Sequence, residues 1–198
     1  MKMEDWRSII LAIHLIATLF MAAPLYMLII VNERARFGLP PGYNPDRYME
    51  NIIKKQPVRC YAYLAVILAT GLLLIWITGL GWTSLFSNWT LAIKAVAFIL
   101  LAGFLSYIHF GVQPKIETIL STVKPEGLLP DESKPKLLSL RTRRKRFSGL
   151  CLFLVLTSLL AGTRMTLGLS PLIFFVFVIL SALFAYRAYK VPIPKGWF

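Results

Sequence analysis

The chain has 198 residues, 57% of them hydrophobic and 16% charged, with mean hydropathy +0.66 and a formal net charge of +13. A soluble domain carries roughly 25% charged and about 45–50% apolar residues, whereas here the apolar excess is gathered into blocks long enough to cross a bilayer. That excludes a soluble enzyme, a disordered tail and a secreted disulfide scaffold. Cys60 and Cys151, each at an apolar run, make neither a disulfide framework nor a zinc site.

A helix crosses the roughly 30 Å hydrocarbon core with about 20 apolar residues, each rising 1.5 Å. Five segments meet this: Ser8–Val31, Tyr61–Leu80, Trp89–Gly111, Phe147–Gly162 (extendable to Leu169) and Pro171–Tyr189. They predict an all-α integral membrane protein with five transmembrane helices. Residues 1–168 form a four-helix bundle, and residues 169–198 add a C-terminal helix and tail. The first span is expected to stay in the mature protein. It is too long for a signal peptide, follows Glu4 and Asp5, and lacks a small-residue cleavage site.

Between the first two spans, the turn-rich run Gly38–Pro45 cannot continue a helix. Asp46–Lys55 then reads as a short helix lying along the membrane surface. The loop before the fourth span holds Pro125, Pro130 and Pro135 among charged residues, and is expected to be mostly exposed and mobile. Trp6, Trp82, Trp89 and Trp197 fall near interfaces, where the amphipathic indole is favoured. Gly71, Gly79, Gly103 and Gly162 are candidates for close helix contact.

Positive charge predicts the orientation. Eighteen of the 22 basic residues lie in Glu33–Arg59, Pro114–Arg146 and the tail, while Gly79–Asn88 has none. Those basic segments should be cytoplasmic, with the N-terminus outside, in the cell's inner membrane. The run Arg141–Arg146 reads as a topology signal touching anionic headgroups. No aromatic platform or motif accompanies it, so nucleic acid is not an expected partner. The expected partners are the lipid bilayer and other membrane-protein subunits.

Ionisable groups within spans are costly and stand as functional candidates. Four occur, His14, Lys94, His109 and, at a helix end, Arg164; no acidic residue lies within a span. At 1.5 Å per residue His14 and Lys94 lie at similar depths, about 9 Å below the outer boundary, and His109 lies roughly 20 Å lower. The two histidines therefore cannot ligate one haem iron together, and a pair of bis-histidine haems is excluded. A single haem with His14 as an axial ligand stays open, with Lys94 beside a propionate or opposite on the iron, or with Met21 opposite. Equally, Lys94 could snorkel to the interface, and His109 could serve packing alone. Copper, through His14, His109 or the scattered methionines, has no Met-x-x-Met or Cys-x-x-Cys pair to support it.

Leu91-Ala92-Ile93-Lys94 through Ile108-His109-Phe110-Gly111 to Pro114-Lys115-Ile116 resembles the third helix of the copper-resistance D (CopD) membrane unit. Leu11-Ala12-Ile13-His14 is similar to that family's opening helix, and Arg143–Arg146 followed by Leu150–Leu160 to its fourth. The related HemJ-type membrane proteins share an early histidine, a lysine in the third helix and b-type haem. The likeness spans roughly residues 7–168 and implies a haem b pocket at His14 and Lys94, with copper handling as the alternative. The HemJ arginine after the first histidine and the Pro-Arg pair at that helix's exit are replaced here by Ala17 and Pro24-Leu25. That argues against porphyrinogen oxidation. Together these readings lead to a haem-binding electron-transfer protein or redox subunit with no independent enzyme activity. Met21 and Arg164 join His14 and Lys94 as candidate cofactor contacts, and a cofactor-free accessory subunit is the remaining class.

Overall fold

The structure, a computed structural model, describes residues 3–33, 43–123 and 130–190. Its helices are α1 (Met3–Glu33), α2 (Tyr43–Ile77), a single turn α3 (Ser84–Ser87), α4 (Trp89–Ser106), α5 (Gln113–Ser121), α6 (Ser133–Leu167) and α7 (Pro171–Lys190). Between α4 and α5 the six residues Tyr107–Val112 widen into a π-helical segment, so the three run on as one rod. Five helices are long and apolar enough to cross a membrane, as the apolar blocks predict. Trp197 and most of the Gly38–Pro45 run lie outside the described residues.

Local chemistry sets the helix ends. Asn88 caps α4, its Oδ1 accepting the Thr90 N–H at 3.0 Å. Gly168 ends α6 at φ 65°, a left-handed conformation that costs glycine nothing, and its N–H returns to the Arg164 carbonyl at 3.0 Å. Three residues later Pro171, with φ already preset, starts α7.

The helices reach further at the basic end than the apolar blocks predict. Asp46–Lys55 is not a separate surface helix. It forms the first turns of α2, which passes through Pro57 into the span. Nor is Pro114–Arg146 a mainly exposed loop: α5 prolongs α4, and α6 begins at Ser133 rather than Phe147. The reason is a small second core. Val112, Ile116, Leu120, Val123 and Leu137 bury one another where α5 meets the start of α6, and that burial offsets the entropy of ordering the segment.

Within the membrane-spanning region α1, α2, α4 and α6 form the bundle. α1 packs along both α2 and α6, α6 packs along α4, and α7 lies outside against α6. α2 and α4 meet only sparsely. Midway, Met21, Leu25, Ile29, Cys60, Leu64, Leu101, Leu105, Cys151, Leu152 and Val155 form the main core. Beyond that layer, towards the N-terminal end of α1, the bundle opens.

Candidate functional site

The opening is a cavity of about 970 Å³ between α1, α2, α4 and α6, at the upper end of the range for small-molecule and cofactor sites, about 300–1,000 Å³. His14 on α1 and Lys94 on α4 both line it. The depth arithmetic placed them at one level because α1 and α4 run the same way, and the two helices stand diagonally across the bundle with the cavity between them. Two of the candidate close-contact glycines sit against this pair. A Cβ at Gly71 would lie 3.5 Å from His14 Cε1, and one at Gly162 would lie 3.6 Å from Lys94 Nζ. A larger side chain at either would enter the space that the pair faces. Gly79 instead takes a left-handed conformation after α2, and Gly103 faces open space.

His14 is buried and its ring is oriented. Nδ1 lies 2.8 Å from Thr70 Oγ1 on α2, and Thr70 Oγ1 lies 2.6 Å from the Val66 carbonyl oxygen. A hydroxyl has one proton, and the carbonyl oxygen can only accept. The Thr70 hydroxyl therefore donates to Val66 and accepts from His14 Nδ1–H. This assigns the Nδ1–H tautomer and leaves the Nε2 lone pair available, the arrangement in which a second partner orients a ligating imidazole. The Thr18 hydroxyl donates back to the His14 carbonyl at 2.8 Å, so this polar group of α1 is also satisfied within the bundle.

Among the described residues no carboxylate lines the cavity at the level of Lys94. Glu4 is the only acid among them that lines the cavity, and it sits with Arg7 ten and seven residues before His14, towards the mouth. On the walls of this apolar cavity the oriented imidazole can ligate a metal centre and the ammonium can pair with an acidic group.

Other sequence candidates sit elsewhere. Met21 reaches the cavity floor but packs into the core layer, and it lies two turns, about 10 Å, along α1 from His14. That separation on one helix is too great for the two to face each other across one metal. Arg164 is absent from the lining. Its guanidinium lies 4.7 Å over the Trp89 ring and donates to the Leu169 carbonyl, which fastens the α6–α7 turn. His109 belongs to the other end, in the π-helical segment, edge-on to Tyr61 and Phe110, with Nδ1 buried and without a hydrogen-bond partner. His14 and His109 form no shared metal site. Among the described residues no three His, Cys, Asp or Glu side chains converge as metal ligands.

The basic end holds a constellation that the sequence did not single out. Glu50 on α2 is 1% exposed, and Arg144 on α6 grips it with Nη1 to Oε2 at 2.7 Å and Nη2 to Oε1 at 2.9 Å. Arg141 Nε adds a bond to Oε1 at 3.1 Å. Gln113 accepts from Arg144 Nη1 at 2.7 Å and donates to Glu50 Oε2 at 3.4 Å. Next to it, Glu117 pairs with Arg47 at 3.2 Å and with Lys54 at 3.5 Å. Part of the Arg141–Arg146 run thus turns inward, whereas Arg143 and Arg146 are exposed, with Arg143 donating to the Tyr107 hydroxyl. A signal for this was present. Leu137, Arg141, Arg144, Ser148, Cys151 and Val155 repeat at three- and four-residue steps, so the buried stripe of α6 runs straight through the basic residues. Outside the spans, Lys134 holds the exposed Asp131 carboxyl below the usual carboxylate range through a hydrogen bond and its charge.

No family model, no curated protein and no solved structure matches this chain.

Proposed function

We propose that the chain is a haem-b-binding integral membrane protein that carries electrons within a membrane complex. The N-terminal end of the bundle then faces outwards, and the charged cluster faces the cytoplasm across the inner membrane. The observation that carries this reading is the pairing of an oriented imidazole with a lysine in one apolar cavity. In it His14 Nε2 would hold the haem iron, with Thr70 Oγ1 accepting the hydrogen bond from Nδ1–H. The Lys94 ammonium would compensate a propionate, which would also supply the anion that a half-buried cation in an apolar cavity requires. When bound, haem supplies a one-electron couple whose potential the protein tunes through axial ligand, hydrogen bonding and burial. The likeness of the His14 and Lys94 segments to the CopD and HemJ-type units points the same way. The basic asymmetry of the chain supports the orientation.

Electron transfer is favoured over copper transport by the layer beneath the cavity. A cation moving through needs donor groups along its whole way, and between His14 and Glu50 the buried centre is mostly aliphatic, Leu25, Ile29, Leu64, Leu101, Leu105, Leu152 and Val155, with the soft donors Met21, Cys60 and Cys151 gathered in that one layer.

An absorption spectrum of the purified protein tests the reading. A Soret band is expected. His14→Ala should abolish or strongly shift it, Lys94→Ala should weaken haem retention, and His109→Ala should leave it unchanged. Full haem occupancy with an unaltered spectrum in the His14→Ala protein would overturn the assignment and leave a cofactor-free accessory subunit ahead.

A further inference from the structure

We infer that the cavity is loaded sideways, from the hydrocarbon interior of the bilayer, through a portal between α2 and α4. Three features of the structure meet there. The bundle closes firmly along α1–α2, α1–α6 and α4–α6, and only its fourth seam, α2–α4, is sparsely packed. The cavity walls at that seam are entirely apolar, with Leu68 and Leu72 on α2 and Ala95, Phe98 and Ile99 on α4. Leu68, Leu72 and Ile99 also belong to the exposed outer surface, Ile99 at 68%. The same side chains therefore line the cavity and face outwards.

Depth decides what they face. Ile99 is ten residues into α4, about 15 Å from its start, and Leu68 is nine residues before the end of α2, about 14 Å from it. Across a hydrocarbon core of roughly 30 Å these are mid-bilayer positions, so the seam opens onto lipid tails and not onto water or headgroups. The ligand class follows from the same walls. It is a flat or slender apolar molecule already dissolved in the bilayer, whose acidic end reaches Lys94 once inside. The mouth near Met3, Glu4 and Arg7 presents charge to such a molecule and is the less favourable route.

This inference rests on the cavity reading above, and the experiment separates the two. Cysteine pairs are joined with a short bis-maleimide in vesicle-reconstituted apoprotein, one across the seam (Leu68→Cys with Ile99→Cys) and one across the mouth (Arg7→Cys with Thr166→Cys). Wild type treated with the same reagent is the control, since Cys60 and Cys151 are buried. Haemin uptake should slow by about tenfold or more in the seam-linked protein, within the one to three decades over which association rates differ among variants of one site. It should keep its unlinked rate in the mouth-linked one. Unchanged uptake across a linked seam, or a block by the mouth link alone, would overturn the portal. If the unlinked protein takes up no haemin, the haem assignment falls, and the portal is read from lipid contact instead. A fluorophore on Ala95→Cys should be quenched by phospholipids brominated mid-chain and relieved by the seam link. An unquenched label, or quenching that the link leaves unchanged, would overturn it.

Discussion

Arg144 holds Glu50 by two parallel hydrogen bonds, at 2.7 and 2.9 Å, across ninety-four positions of the chain. Both side chains are almost wholly buried, and the pair joins α6 to α2, two elements with no extensive packing of their own along the spans. The fork geometry makes this the strongest type of charge-assisted contact. Removing one partner strands the other. Glu50→Gln should therefore destabilise the fold by about 3–5 kcal/mol, the cost of breaking a buried ion pair. The combined change Glu50→Met with Arg144→Met should recover part of that loss, because the pair then leaves no charge behind, although Arg141 still loses its bond to Glu50. Thermal unfolding in detergent measures both, and a double variant as unstable as Glu50→Gln would refute the account.

Orientation is checked by labelling. Ser87 ends α3, and Glu132 lies just before α6, both exposed and at opposite ends of the bundle. Single cysteines at the two positions should react from opposite sides of the membrane with an impermeant maleimide. Ser87→Cys is expected to react from outside and Glu132→Cys only after permeabilisation. The reverse pattern would invert the topology and turn the His14 cavity towards the cytoplasm.

Much of this architecture is legible in the residues. The spans stand out because the apolar runs approach or exceed the length a bilayer requires, and the shared level of His14 and Lys94 follows from helix rise. Their surroundings are harder to read. Thr70 looks like any threonine satisfying its own backbone, and its role appears only once α1 lies against α2. Glu50 is one acid among several in a polar segment, and its burial depends on Arg144 arriving from far along the chain. The continuation of α2 through Pro57 and of α4 into α5 is hidden for a related reason. Ile116, Leu120 and Leu137 are too few to mark a core until they pack on one another.

Gly162 leaves room for the Lys94 ammonium. A Cβ there meets Nζ at 3.6 Å, an ordinary contact, so Gly162→Ala should bind and fold nearly as wild type. Leucine would carry three more carbons into the cavity and displace the lysine head. Overpacking of that kind costs about 1–3 kcal/mol, and here the cost should fall mainly on ligand binding, since the side chain points into open space. Haem titration of the two variants measures it. Equal affinity for alanine and leucine would show that Lys94 and the ligand do not share this space.

The Thr70–His14 bond gives the last expectation. With Nδ1–H held by the Thr70 oxygen, the imidazole is fixed in orientation and Nε2 keeps its lone pair for a ligand. Thr70→Val keeps the shape and β-branching of the residue while removing the acceptor. The ring then loses this partner, and the Ile67 carbonyl is the nearby backbone group left to hold it. Loss of such an outer partner typically lowers metal affinity by about 10–100-fold, and the same fall is expected for haem. Thr70→Ser restores the oxygen and should restore most of the affinity. A purely structural role for Thr70 predicts the opposite order, because valine preserves packing better than serine does. Haem affinity and the position of the Soret band, compared across threonine, serine and valine at this one site, therefore distinguish an oriented ligand from a packed histidine.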